Sequence, residues 1–303
     1  MFGLRVVFLS LHGMNRYQEI ARMHPLDTIV FETPIVRAAR FRCDANDPRF
    51  TDCGPAANFA VVFPRTALWL CYSGARAFVA DPSVATLYNP GQEYTRRKIS
   101  PEGDRCEWFG VSRALALEIA SSIDPRTLEQ HENPFTAQFT RVDRDLYLAQ
   151  RAFFSRLERS SIDVLEAEET IVAIVTTVLR RAFESRTSLS EQDNDARTDL
   201  VQRAKAALVK RVFGQTSLND LAAELRVSPF YLCRVFREGA GTTLHEFKTD
   251  MRIRFALERL ADREADLSRI ALDCGFSSHS HFTASVRQRM GKPPSALRQM
   301  LAT

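Results

Sequence analysis

Two histidines one residue apart, His279 and His281, sit in the run GFSSHSHFTASVRQRMGKPP at 275–294. On a strand this spacing puts both imidazoles on one face, where they can share a metal ion. On a helix each residue turns by about 100°, so the two rings diverge by about 200°. The run reads as a helix. Phe282, Val286 and Met290 recur every four residues, Ser277 or Ser278 can cap the start, and Gly291 with Pro293 and Pro294 stops it. A tetrahedral zinc set is not expected from such a pair, which leaves the polar side chains around His279 to face some other partner.

Other chemistry finds little support. The chain lacks a Gly-x-Ser-x-Gly elbow, a P-loop and a dinucleotide fingerprint. The first 196 residues hold His12, His24 and His131, far apart and never as His-x-His. This argues against a metal-dependent oxygenase or isomerase, which needs a clustered His/carboxylate set. No catalytic residue, metal or cofactor is expected, and the chain does not read as an enzyme. Six cysteines, Cys43, Cys53, Cys71, Cys106, Cys233 and Cys274, form no C-x-x-C pair. They read as reduced thiols in a cytoplasm. The sharper alternative is a redox sensor built on Cys43 and Cys53.

The elements that position these residues fall into two regimes. At 303 residues, 45% apolar and 26% charged, the chain is long enough for two ordinary globular domains. No apolar run is long enough to span a bilayer. The opening MFGLRVVFLSL has no small-residue cleavage site after it, so a secretory signal is not expected. Met14 and Met23 are alternative starts, and 1–22 reads as an extension. The net charge of +4 is unevenly spread: 197–303 carry +7 and 1–196 carry −3. A basic C-terminal third suggests a nucleic-acid-binding module.

Between 28 and 111 the runs TIVFE, ANFAVVF, TALWLCY, RAFVA, ATLY and CEWFGV predict short strands. Turn signals such as Cys53-Gly54-Pro55, Ser73-Gly74 and Asn89-Pro90-Gly91 separate them, and Ser73-Gly74 suggests a tight hairpin. This spacing predicts an antiparallel sandwich or barrel. Helices are predicted at 112–122, 141–159 and 163–184. The last carries an apolar stripe, including Ile171, Val175, Val178 and Ala182, that packs on the barrel or forms a subunit interface. SRTSLSEQDNDA at 185–196 reads as a linker. The fold class is α+β, with an N-terminal antiparallel β-barrel and flanking helices over 1–184 and an all-α domain over 197–303.

The basic third contains one pattern twice. LNDLAAELRVSPFYLCRVFREGAG at 218–241 matches LSRIALDCGFSSHSHFTASVRQRMG at 267–291. Leu218, Leu221 and Ala222 align with Leu267, Ile270 and Ala271; after one extra residue in the second turn, Leu232, Phe236, Arg237 and Gly241 align with Phe282, Val286, Arg287 and Gly291. Each copy reads helix, turn, helix. Ser217 with Asp220 starts the first helix, and Ser228 with Pro229 starts the second. In this geometry the second helix enters the DNA major groove and the first braces it. A connecting helix is predicted at 244–260, capped by Thr243 and Glu246. It is a rod of roughly 25 Å, of the same order as the ~34 Å between successive groove faces on one side of B-DNA.

At this point the chain resembles the AraC/XylS-type bacterial transcription regulators. The resemblance covers 197–303 and is carried most specifically by Gly275-Phe276-Ser277-Ser278-His279-Ser280-His281-Phe282, then Arg287, Gly291, Pro294 and Arg298. Val286 and Pro293 are mild departures, where the family usually has Phe and often Ser or Thr. The N-terminal half is similar to the family's cupin-like effector domain, through Asn89-Pro90-Gly91 and Asp104-Arg105-Cys106. The resemblance implies a bacterial, cytoplasmic, homodimeric regulator that binds promoter DNA, takes a small-molecule effector, and contacts RNA polymerase if it is an activator.

Candidate base contacts are Phe230, Cys233 and Arg234 on the first reading helix and His279, Ser280 and Thr283 on the second. Arg234 fits guanine O6 and N7 but serves equally as a phosphate contact, and Phe230 lies on a thymine methyl or is partly buried. Ala284 offers no polar group, so the second helix reads fewer bases. Arg237, Arg252, Arg254, Arg287, Arg289 and Lys292 are phosphate candidates, and Trp69, Tyr94, Arg96 and Trp108 are candidates for an effector pocket. The rivals are a metal-dependent cupin-type enzyme fused to a DNA-binding domain, a thiol redox-sensing regulator and a non-specific architectural protein.

Overall fold

The computed structural model describes residues 26–51, 54–129, 133–188, 195–260 and 266–301. Among the described residues there are nine strands: β1 (Asp27–Glu32), β2 (Val36–Cys43), β3 (Phe59–Pro64), β4 (Leu68–Tyr72), β5 (Phe78–Ala80), β6 (Val84–Tyr88), β7 (Tyr94–Lys98), β8 (Asp104–Val111) and, after the first helix, β9 (Phe139–Arg141). They form a six-stranded sheet in the order β1-β2-β8-β3-β6-β9 and a three-stranded sheet in the order β5-β4-β7. All pairings are antiparallel. Among the described residues the two sheets do not close into a barrel, which corrects the barrel expectation to an open pair of sheets.

Strand chemistry follows the side-chain period of two. In β4, Leu68, Leu70 and Tyr72 are buried while Trp69 and Cys71 lie on the other face. Central β3 is buried on nearly every residue, as expected of a strand covered on both sides. Three strands lack a clear apolar run: β2, where arginines interrupt the sequence VRAARFRC; polar β7; and three-residue β9. The Ser73-Gly74 hairpin joins β4 to β5, with Gly74 at φ 73, but its loop is longer than a two-residue turn.

Three helices flank the end of this region, α1 (Arg113–Ile123) before β9 and α2 (Arg144–Glu158) and α3 (Val164–Ser188) after it. Ser112 caps α1 by accepting from Leu115 N, and Asp143 caps α2 by accepting from Leu146 N at 2.9 Å. The apolar stripe of α3 is buried in the largest core cluster, through Ile171, Val175, Val178 and Ala182. Packing is thus the role of that face within one chain. The remaining helices are α4 (Asp195–Lys210), α5 (Leu218–Leu225), α6 (Pro229–Ala240), α7 (Leu244–Leu260), α8 (Leu267–Asp273), α9 (His279–Met290) and α10 (Pro294–Leu301). The predicted linker at 185–196 overlaps the ends of α3 and α4; its middle, 189–194, lies outside the described residues, as do His12, His24, Cys53, His131 and the 1–22 extension.

The cores cross the middle of the chain. One cluster joins Phe109, Phe153 and Ile171 to Ile253, Leu257, Phe282 and Leu297. A second joins Val79 to Leu208, Leu232 and Phe236. Each fully buried Phe in these clusters contributes about 1.5–3 kcal/mol relative to an exposed one, so the two halves share stabilising surface.

Ion pairs cross the same boundary. Glu107 on β8 is buried and accepts from Arg65 Nη1 at 2.6 Å and Gln150 Nε2 at 2.6 Å, with Arg151 Nη1 at 3.2 Å. Arg65 also forms a two-pronged pair with Glu258 on α7, with its Nε at 2.8 Å. Burial pulls the Arg65 guanidinium toward neutrality, and the carboxylates of Glu107 and Glu258 more than offset this, so its pKa is raised.

Candidate nucleic-acid interface

Each half of the repeat folds as its sequence dictates. In the first, Ser217 Oγ accepts from Asp220 N at 3.1 Å and starts α5. Leu221, Ala222 and Leu225 bury its inner face. Arg226 closes α5 in the left-handed region at φ 60. Ser228 Oγ then accepts from Tyr231 N at 3.2 Å, Pro229 takes the first turn of α6, and Gly241 caps its end at φ 66. In the second half, Asp266 caps α8, and Ser278 Oγ accepts from His281 N at 3.1 Å to start α9. Gly291 ends α9 at φ 73. Gly275 sits 49 residues after Arg226, at φ 79. A Cβ there would collide with the Phe213 carbonyl and come within 3.0 Å of Arg252, so glycine is required by space as well as by backbone.

The second helix of each pair is two-faced. On α6, Leu232, Val235, Phe236 and Ala240 are buried, and Phe230, Cys233, Arg234 and Arg237 are exposed. Phe230 is 79% exposed, an unusual state for a phenyl ring, and this removes the partly buried alternative. Arg234 lies over the Tyr231 ring at 5.6 Å. On α9, Phe282, Val286 and Met290 are buried, while His279, Ser280, Ala284 and Arg287 are exposed. Arg237, Arg287 and Lys292 are exposed with no ion-pair partner among the described residues. His281 is tied back to the turn, with Nδ1 2.9 Å from Ser277 Oγ and its ring edge-on to Phe276. These contacts hold the exposed ring at the turn, away from the face of His279.

Between the pairs, α7 is held at its start by a reciprocal cap. Thr243 Oγ1 accepts from Glu246 N at 3.1 Å, and Glu246 Oε2 accepts from Thr243 N at 3.0 Å. These bonds, from the Thr243 backbone first, hold the Glu246 carboxyl at about 2.

Four expected site residues are placed elsewhere. Arg254 is buried on α7, where it donates to the Pro82 and Val142 carbonyls at 2.8 and 2.9 Å and lies 4.5 Å over the Tyr147 ring. It fastens α7 to the N-terminal half, and its guanidinium is buried there rather than presented on an outer face. Arg252 donates to the Val212 and Gly214 carbonyls at 2.6 and 2.9 Å, closing the end of α4. Thr283 has its hydroxyl buried without a partner among the described residues, so it does not offer that oxygen to a groove. Arg289 is half-buried and lies 3.9 Å from Glu246, a weaker candidate than Arg287. Exposed Arg226, not among the expected residues, sits in the turn between α5 and α6.

In the N-terminal half, a cavity of about 310 Å³ lies between the sheets, lined by Leu68, Leu70, Tyr88, Tyr94, Arg96 and Trp108 among others. Arg96 is spent on structure: it donates to the Phe50 carbonyl at 2.9 Å and pairs with Asp104 under the Phe41 ring. Trp108 Nε1 donates to Asp27 at 2.7 Å, and burial pushes that carboxyl up. Trp69 is absent from this wall. It sits on the opposite face of β4, under Arg97 and against the helices of the second core. Burial raises the thiols of Cys43 and Cys106, and that of Cys274 to about 11, which disfavours the thiolate a redox sensor needs.

Residues 221–300 match a family model described as a helix-turn-helix domain. The C-terminal third therefore contains a helix-turn-helix domain. Its sequence is similar to that of the regulator ExsA of Pseudomonas aeruginosa, 29% identical over 99 residues, or 33% of this chain and 36% of that protein. The matched stretch thus spans about a third of that relative's length. Among solved structures, the chain is similar to an AraC-type DNA-binding-domain protein from Chromobacterium violaceum, at 25% identity over 36% of this chain and 98% of that one, with TM-score 0.34. It is also similar to ToxT from Vibrio cholerae O395, at 15% identity over 88% of this chain and 97% of that one, with TM-score 0.35. Within the matched region, α6 and α9 each carry an exposed, largely polar outer face.

Proposed function

We propose that this protein is a sequence-specific transcription regulator that binds double-stranded promoter DNA as a homodimer in the cytoplasm. Residues 197–303 bind DNA, and 1–184 sense a small molecule or mediate dimerisation. The observation that carries this reading is the duplicated helix pair with two polar, exposed second helices. On α6, Arg234 reads a base with Phe230 and Cys233 beside it. On α9, His279 and Ser280 take the equivalent places. Arg237, Arg287 and Lys292 bind phosphates, a role that fixes register without reading sequence. The effector occupies the cavity between the sheets, against Tyr94 and Trp108, and its binding shifts the population competent for DNA.

Selection of bound fragments from genomic DNA tests the reading, followed by competition against random DNA at fixed salt. A specific regulator holds its selected site at least about 10³-fold more tightly. Equal affinity for both would identify a non-specific architectural protein.

A further inference from the structure

Arg141 ends β9 and Arg144 begins α2, three residues apart in the N-terminal half. Arg141 Nη2 donates to the Gly239 carbonyl, in the last turn of α6, at 2.9 Å. A Cβ on Gly241, the cap of α6, would collide with the same guanidinium. Arg144 meets the other reading helix in the equivalent place: a Cβ on Gly291, the cap of α9, would lie 3.2 Å from its Nη1. Gly241 and Gly291 are the same position in the two copies of the repeat.

We propose that Arg141 and Arg144 are positioning residues that grip the C-terminal ends of both reading helices and fix their mutual geometry. This rests on the reading that α6 and α9 enter DNA. A helix C-terminus carries roughly half a negative charge; Arg141 bonds one such end directly, and Arg144, whose Nε pairs with Asp145 Oδ1 at 2.9 Å, sits beside the other. Glycine serves twice at each cap, by accepting positive φ and by leaving room for an arginine. The segment between the two arginines is itself tied down. Val142 N donates to the Ser83 carbonyl at 2.8 Å, Arg254 of α7 donates to the Val142 carbonyl, and Asp143 caps α2. One short strand end therefore touches α6, α7 and α9 together. The cavity wall is adjacent: Thr86, which lines it, pairs with Phe139 of β9.

The test is a distance measurement on the full chain without DNA. One spin label goes on native Cys233 of α6 and one on Gln288→Cys of α9, both exposed positions, with Cys53 and Cys71 replaced by serine. The protein with both arginines gives one narrow distance distribution. Arg141→Ala with Arg144→Ala broadens it and shifts its mean; an unchanged distribution overturns the proposal. Gly241→Asn, which tolerates the left-handed backbone but pushes Arg141 aside, broadens it alone and adds nothing in the Arg141→Ala background. Additive effects there also overturn the proposal. The readout needs no DNA, so a failed selection of genomic sites removes the functional reading and leaves the grip intact.

Discussion

Glu107→Gln, set beside Glu258→Gln, tests the buried network that carries Arg65 to the C-terminal half. The carboxylate is 4% exposed and accepts from Arg65, Gln150 and Arg151. The amide keeps the shape but removes the charge shared by three guanidiniums: Arg65 and Arg151, each 9% exposed, and the more exposed Arg40, 3.3 Å away and also paired with Glu158. Arg65 retains Glu258, whereas Arg151 has no other acid within ion-pair distance among the described residues. Breaking one side of a buried pair costs about 3–5 kcal/mol, because the remaining charge is stranded. At about 2 °C per kcal/mol for a chain of this size, Tm falls by about 6–10 °C. Glu258→Gln removes a partly exposed partner, leaves Arg65 on Glu107, and costs less, about 1.5–3 kcal/mol. Thermal unfolding followed by circular dichroism, with urea titration as a check, measures both. If Glu107→Gln unfolds within 1 °C of the parent, or Glu258→Gln is the more damaging, Glu107 is not the centre of the buried network.

Arg234→Ala relaxes sequence preference at one base pair by about 1–3 kcal/mol, whereas Arg287→Ala weakens all sequences alike and lowers the salt slope by about 0.9; titration of the selected site and a one-base variant across salt separates them. Arg254→Ala strands two buried carbonyls and costs about 2–4 kcal/mol of stability, yet leaves the salt slope of DNA binding unchanged. A slope change for the folded variant would restore the phosphate role. The Glu246 carboxyl titrates at about 2, below the ~4.3 of an unfolded chain. The folded state thus binds fewer protons between these values, so the stabilisation is complete above about pH 4.3 and is lost as pH falls toward 2. Carbon-detected NMR titration reads the value directly, and Glu246→Gln raises the acid-unfolding midpoint.

The helical third was legible because its signals are local. Ser217, Ser228 and Ser278 cap within three residues, Pro229 marks a first turn, and Gly241 and Gly291 mark ends. The predicted 244–260 helix is α7 to the residue. The misses are of two kinds. Some signals were present and not used: strand alternation puts Trp69 opposite Leu68 and Leu70, and Arg254 lies seven residues after Phe247, on the buried side of α7. Others are absent from any local window. Glu258 meets Arg65 across 193 residues, and Arg254 meets Pro82 across 172. An arginine with such partners has the same local sequence context as one facing solvent. The open sheets differ from a barrel for a similar reason, since closure is decided by edge pairing among β1, β9, β5 and β7 and not by the strands' own composition.

Hydroxyl-radical footprinting of the full chain on a selected genomic fragment tests the central claim most directly. Two reading helices in successive groove segments predict two protected patches on one face of the duplex, about one helical turn apart, with Arg234→Ala altering only one of them. A single patch, or protection spread evenly along the fragment, would contradict it.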